Sequence, residues 1–248
     1  MSLEANHLIQ PDWPAPATVR AVTTTRLGGI SQGRFASLNL GFHTEDDEQA
    51  VHHNRQQLYT QLELAQEPAW LRQVHGNQVV DVATITEPVT ADASVSRQPG
   101  KACVVMTADC LPVLLCDRAG HCVAAAHAGW RGLAAEIIAA TVEAMHCPTS
   151  EVMAWLGPAI GPDVFEVGNE VRAQFLQLDA ANQVCFKPSP AGRWLADIYA
   201  LARRQLQDLG ITAVYGGDWC TVSDPTRFYS YRRDGSSGRM ASLIWLQA

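Results

Sequence analysis

The sequence predicts an α+β fold, with mixed β-sheets flanked by helices in a single domain over residues 1–248. Three observations carry that expectation. Apolar, strand-like runs outnumber helical periods by about two to one. They do not alternate regularly with helices, which argues against a doubly wound parallel sheet. Hydrophobic residues make up 47% and charged residues 17% of the chain, so a large core is available and wholesale disorder is excluded.

The elements follow in order. A strand is expected over residues 18–25. The longest polar stretch, residues 44–55, reads as a helix start, with Asp46 or Asp47 as cap and Val51, Leu58 and Leu62 at helical spacing. Strands follow at 78–83 and 102–106. Two more, at 113–116 and 121–126, are joined by Asp117-Arg-Ala-Gly120 as a four-residue hairpin turn. A helix over 133–145 puts Leu133, Ile137, Ile138, Thr141, Val142 and Met145 on one face, and Pro148 lies just beyond it. A strand at 151–156 precedes a short helix using Val171, Phe175 and Leu178. The last helix carries Leu195, Ile198, Leu201, Ala202, Leu206 and Leu209 and stops at Gly210. Strands at 211–215, 228–232 and 242–246 complete the chain. No repeat, low-complexity tract or linker interrupts it.

A formal net charge of −7 argues against binding long nucleic acid, which needs clustered Lys and Arg; a nucleoside or nucleotide needs only a local basic pocket. No apolar run approaches the roughly 20 residues that span a bilayer, so no membrane partner is expected. Residues 1–13 are polar, without a basic start or an apolar segment, and predict no secretory signal. The 7 cysteines are an odd number, and Cys103, Cys116 and Cys122 lie in apolar runs; reduced thiols and a cytoplasmic location follow. No heptad pattern or large exposed apolar face is readable, so the sequence sets no oligomeric state.

The chemistry concentrates in the hairpin. With Cys116 opposite His121, the same register sets Cys110 opposite His127, at a Cβ separation of roughly 4.5–5.5 Å. One thiolate and one imidazole can then meet a metal at about 2.3 and 2.0–2.1 Å. Pro112 is a candidate bulge in that register. His75 lies in Val74-His-Gly-Asn77, a turn at the start of another strand that aims it toward the same space. One Cys and two His with a fourth position open form a catalytic zinc arrangement. Spacing leaves a rival open, in which Cys110 is a thiolate nucleophile and His127 its base. Cys103, Cys116, Cys122 and Cys147 read as core thiols, and His43, His52, His53, His121 and His146 as surface, capping or core histidines. His127-Ala-Gly-Trp-Arg-Gly132 leads into a helix, so free N–H groups and Arg131 offer an anion site, with Trp130 available to stack on a planar base. Arg26, before Gly28-Gly29, and Arg239, after Gly235-Ser-Ser-Gly238, are further anion contacts.

Gln73-Val-His-Gly, Thr107-Ala-Asp-Cys-Leu-Pro and His127-Ala-Gly-Trp-Arg-Gly resemble the three signature segments of the YfiH-like laccase-domain family. Thr25-Arg-Leu-Gly-Gly-Ile-Ser, Ser37-Leu-Asn-Leu-Gly, Gly157-Pro-Ala-Ile-Gly-Pro, Phe165-Glu-Val-Gly and the final Tyr229-Ser-Tyr-Arg-Arg-Asp-Gly match as well, in order along the chain. One departure is Glu45, where the family pattern carries Gly. The resemblance implies a zinc site at His75, Cys110 and His127. It also implies packed sheets covered by helices, similar to the deamidase domain of cytotoxic necrotising factor. The implied activity is phosphorolysis of adenosine, inosine, guanosine and methylthioadenosine to base and ribose 1-phosphate, with adenosine deamination; the partners are then a purine nucleoside and phosphate. Asp109 and Asn39 are candidates for orienting substrate or moving a proton, and no residue is identified as the general acid for the departing base. The nucleobase-deaminase signature His-x-Glu with Pro-Cys-x-x-Cys is absent, so deamination rests on the resemblance.

Three alternatives compete. Copper oxidation of phenols, the older label of the family, could use the same ligands with Met106 as weak axial ligand, but the His-x-His pairs of a multicopper cluster occur nowhere. A Cys110/His127 cysteine hydrolase acting on an amide, such as a cell-wall precursor, needs the thiolate free of metal. A non-catalytic protein with structural zinc would be expected to carry four protein ligands.

Overall fold

A computed structural model describes residues 4, 7–64, 66–86, 88–190 and 192–247. Of the polar stretch at 1–13, positions 1–3, 5 and 6 lie outside these. The strands are β1 (Leu8–Ile9), β2 (Val19–Thr24), β3 (Val79–Asp81), β4 (Ala93–Ser96), β5 (Cys103–Thr107), β6 (Leu111–Asp117), β7 (Val123–Ala128), β8 (Val152–Leu156), β9 (Glu166–Val167), β10 (Phe186–Pro188), β11 (Trp194–Ala196), β12 (Ala213–Gly216) and β13 (Met240–Leu246). The helices are α1 (Glu48–Gln61), α2 (Trp130–Ala134), α3 (Ile137–Met145), α4 (Asn169–Leu178), α5 (Ile198–Asp208) and α6 (Tyr231–Asp234).

Two sheets face each other. One is antiparallel, in the order β1-β2-β13-β5; the other is mixed, in the order β12-β8-β6-β7-β4-β3, with β12 parallel to β8 and β3 parallel to β4. Strand alternation sorts the side chains into layers. Cys103 and Val105 of β5, Leu114 and Cys116 of β6, Val123 and Ala125 of β7, Met153 and Trp155 of β8, and Ile244 and Leu246 of β13 fill the space between the sheets. The opposite parity of β6, β7 and β8 packs under α3, α4 and α5 with Ile137, Ile138, Phe175 and Leu206. The outer face of the antiparallel sheet meets Leu58 of α1 through Val104, Met106, Leu243 and Trp245. The fold is therefore the expected sandwich of mixed sheets covered by helices. A small third sheet, in the order β10-β11-β9, lies apart from this pair in the hydrogen-bonding pattern.

The sequence-based elements hold with four corrections. The expected 133–145 helix is broken: Glu136 is left-handed (φ 62°), separating α2 from α3. The carbonyls freed there are taken by side chains, Gln205 Nε2 donating to Leu133 O (2.7 Å) and Asn77 Nδ2 to Ala135 O (2.8 Å), so tertiary contacts rather than a glycine make the break. Leu195 belongs to β11, and Asp197 caps α5 by accepting from Ala200 N. The 228–232 strand is absent. Phe228 and Tyr229 are both buried in a cluster with Met240, and the Ser230 hydroxyl caps α6 by accepting from Arg233 N.

The fourth correction concerns the hairpin register. Cys116 faces Val123 and Pro112 faces His127, a shift of two residues from the sequence reading. Asp117 causes it. Its N–H bonds Cys122 O (3.1 Å), and its Oδ1 accepts from His121 N (2.7 Å) and Cys122 N (2.8 Å). The turn is thus 118–121, with Gly120 left-handed (φ 69°). An even shift keeps every side chain on its expected face. Pro112 makes no bulge, because the β6–β7 ladder runs unbroken from Leu111 to Cys116 and β6 meets β8 only from Val113 onward.

Leu114 has no exposed surface in the inter-sheet core. Leu114→Ala is expected to cost about 2–5 kcal/mol in urea denaturation.

Candidate metal centre and its cavity

The open end of the β6–β7 hairpin carries the chemistry. His127 is on β7, Cys110 immediately precedes β6, and His75 sits in the turn before β3 with a left-handed backbone (φ 63°). Their potential ligand atoms all lie within 4.8 Å of one another, and Cys110 Sγ is 3.8 Å from His75 Nε2. The two imidazoles meet edge-on at 4.7 Å between centroids. Tetrahedral zinc at the usual bond lengths sets its donors about 3.3–3.6 Å apart, so small closing movements suffice. The cluster can hold a metal ion. His127 is buried, Cys110 half-buried and His75 exposed. Gly129 makes room for it: a Cβ there would lie 2.8 Å from Cys110 Sγ and 3.2 Å from His75 Cδ2.

Asp92, fully buried, organises two of the three donors. It stands opposite His127 one step beyond the Ala93–Ala126 pair, with His127 N donating to Asp92 O at 2.7 Å. Its carboxylate accepts from His127 Nδ1 (2.8 Å), which leaves Nε2 for a ligand. The same carboxylate accepts from the N–H groups of Val74 (3.1 Å), His75 (2.8 Å) and Gly76 (2.8 Å), holding the His75 turn. Although burial opposes ionisation, the bonds from His127 and from Gly76 and Val74 hold Asp92 below the ordinary carboxylate range. The sequence reading missed Asp92; an acid inside the apolar run Ala91-Asp-Ala-Ser-Val was the available signal. Gln73 ties the segment to the other sheet, its amide exchanging bonds with Met106 O (2.8 Å) and Met106 N (2.7 Å).

The donors are electrostatically coupled. Burial disfavours the Cys110 thiolate, but the charge and hydrogen bonds of His127 and His75 outweigh it and draw the thiol below its ordinary range. Burial likewise disfavours a charged His127, yet Cys110 and Asp92 hold its pKa above the usual value. A pre-formed thiolate suits a metal and a cysteine nucleophile alike.

The cluster lies in a cavity of about 710 Å³. Four more expected residues line it: Asp109, Trp130, Arg131 and Arg239. Asp109, left-handed at φ 86°, accepts from Thr221 Oγ1 and Arg232 N, both at 2.6 Å. Arg131 lies over the Trp130 ring at 4.4 Å. Arg26 and Asn39 are not among the lining residues. Arg26 donates to Ala36 O (2.9 Å) and Pro225 O (3.1 Å), a structural role. Asn39 is buried and accepts from Arg239 N at 2.9 Å, so it reaches the cavity through Arg239. Glu45 pairs with Arg34 on the surface, away from the cavity lining. The sequence reading also missed His43, Arg55, Trp70 and Arg232 as lining residues, because each comes from a loop or helix whose inward direction no local pattern encodes.

Among the described residues no helix is long and apolar enough to cross a membrane. The family described as multi-copper polyphenol oxidoreductase laccase matches residues 20–247. A Pseudomonas aeruginosa protein named purine nucleoside phosphorylase is 57% identical over 98% of this chain and 99% of its own. The Escherichia coli purine nucleoside phosphorylase YfiH is 50% identical over 96% and 98%. Among solved structures, a Neisseria meningitidis protein superposes with a TM-score of 0.95 at 51% identity, covering 98% of this chain and 100% of that one. With the family matched over nearly the whole chain, these identities and this superposition, the chain belongs to the YfiH-like laccase-domain family.

Proposed function

We propose that this protein is a zinc-dependent purine nucleoside phosphorylase that also deaminates adenosine. The observation that carries the reading is the close identity, along nearly the whole chain, to proteins named purine nucleoside phosphorylase. The geometry is consistent with it, since the cavity joins a metal-binding cluster to a basic wall and an indole. Adenosine, inosine, guanosine and methylthioadenosine are the proposed substrates, with base and ribose 1-phosphate as products.

Phosphorolysis requires phosphate beside C1′ while the base departs, so positioning supplies much of the rate. His75, Cys110 and His127 would hold the zinc, and a zinc ion there would supply Lewis acidity for a substrate oxygen or water. Asp92 fixes the His127 tautomer and the His75 turn, so neither ring needs to reorganise during reaction. Arg239 offers positive charge to phosphate, and Trp130 offers a face to the purine. Asp109 holds the turn that presents Cys110; acting on a proton would require it to release Thr221 or Arg232.

Two other readings each have an observation in their favour. The hydrogen-bonded series Cys110, His127, Asp92 has the order of a cysteine-hydrolase triad. The matched family description favours copper. Against copper oxidation, only one such ligand cluster occurs among the described residues, and Met106 Sδ is turned to Arg55 Nη2 at 3.7 Å.

Elemental analysis with an adenosine assay separates these readings. About one zinc per chain, with adenine released only when phosphate is present, is expected, and inosine would add deamination. Copper with phenol oxidation, or a metal-free protein whose activity is lost on thiol alkylation, would replace the proposal. His75→Ala, Cys110→Ala and His127→Ala are each expected to abolish stoichiometric zinc binding while far-ultraviolet circular dichroism is preserved; full zinc in Cys110→Ala would refute the ligand set. Asp92→Asn should weaken zinc about 10–100-fold in a chelator competition, the usual cost of losing a carboxylate behind a ligating His. Unchanged affinity would remove Asp92 from that role.

A further inference from the structure

Three cavity residues, His43, Arg55 and Arg239, are gathered at one wall by a single loop. Leu40 O accepts from Arg55 Nε (2.9 Å), and Leu40 N donates to Arg239 O (3.2 Å). Gly41 lies flat against the other two: a Cβ there would come within 2.8 Å of Arg239 Cγ and 3.3 Å of His43 Cε1. Arg55 is only 7% exposed, with its guanidinium carbon 4.3 Å from the Phe42 ring and 3.8 Å from the Trp70 ring.

This positive cluster has no ion-pair partner in contact among the described residues, although Cys110 and Asp109 act on Arg239, and Glu67 on Arg55, from a distance. Neither Arg55 nor Arg239 enters an ion pair among the described residues, whereas six other arginines do. Asp109, the acid lining the cavity, is committed to Thr221 and Arg232. Glu67, the acid that acts on Arg55, accepts from Trp70 Nε1 instead. Burial first, then the charges of Arg239, Arg55 and His127, push His43 down to about 4. A buried cation without a carboxylate in contact is costly, and a bound oxyanion offsets that cost. The opposite candidate, Arg131, stacks on Trp130 at the head of the five-residue α2, too short for a developed helix dipole.

We propose that Arg55 and Arg239, with His43 beside them, form the subsite that binds a phosphoryl group in this cavity. Arg239 Nη1 is spent on Ser237 O (2.7 Å) and Gly238 O (3.0 Å), and Arg55 Nε and Nη2 on Leu40 O and Met106 Sδ, which leaves Arg239 Nε and Nη2 with Arg55 Nη1 for the oxygens of a phosphoryl dianion. The inference rests on the phosphorylase reading only for the source of that group, which is free phosphate or the 5′-phosphate of a purine nucleotide.

The test is calorimetric titration of inorganic phosphate, and separately of adenosine 5′-phosphate, into the protein as purified. Wild type is compared with Arg55→Met, Arg239→Gln and Arg131→Ala, with circular dichroism to confirm folding. Loss of a charged hydrogen bond predicts about tenfold or more weaker binding in each of the first two, and within about twofold of wild type in Arg131→Ala. Should Arg55→Met fail to fold, half-buried Arg239 carries the same comparison. Inorganic phosphate binding with this sensitivity identifies free phosphate as the source; binding of the nucleotide alone with this sensitivity identifies the monoester. Saturable binding of neither, wild-type binding in the folded variants, or loss in Arg131→Ala instead would overturn the subsite. Because binding is read without turnover, a protein that binds phosphate here yet cleaves no nucleoside would sink the phosphorylase reading and leave this one standing.

Discussion

A single buried carboxylate, Asp92, holds the centre of this structure together. It accepts from one imidazole and three consecutive backbone N–H groups, and so ties the His75 turn to the end of β7. Taking a carboxylate out of water is expensive unless its lone pairs are filled, and here four donors fill them. The cost is offset by geometry. His127 is fixed in one tautomer and His75 in a left-handed turn that an unsupported histidine backbone adopts only with strain. Remove that carboxylate and the two rings lose their common reference.

The sandwich explains why such a carboxylate can exist. Asp92 and His127 belong to the parity of β4 and β7 that points between the sheets, one step past the end of the apolar packing. Deeper in, Ala125 and Val123 close against the antiparallel sheet. At the rim the turn at 73–76 bridges the two sheets through Gln73 and Asp92. The small residues of β7, with Gly129 just beyond, let the donors approach one another without a Cβ in the way. Core and site are thus one construction, with the ligand cluster at its outer edge.

Charge follows a similar logic. The chain is acidic overall, at −7, yet its cavity is lined by arginines. Most other arginines are neutralised by nearby carboxylates or spent on backbone carbonyls at the surface. Arg55 is instead held by two aromatic faces and a carbonyl, which orient a guanidinium without cancelling its charge. An anionic ligand meets a strong local field inside a molecule that repels polyanions in bulk.

Much of this was legible in the residues. Alternation in the apolar runs placed most strands, spacing placed α1, α4 and most of α5, and the hairpin with its flanking turn put His75, Cys110 and His127 in one space. The register was two residues off because Asp117 acts as a turn cap, a side-chain role that apolar patterning does not reveal. The break between α2 and α3 depends on Gln205 and Asn77, distant in sequence, and the helix at 231–234 on a core that buries Phe228 and Tyr229 together. Sequence by itself determined which residues carry ligand chemistry and which faces are apolar, since both are properties of side-chain type and local period. Only the tertiary structure decided that Asp92 serves the donors, that Arg55 faces the cavity, and that Arg26 serves the loops, because each depends on where long-range packing brings two segments together.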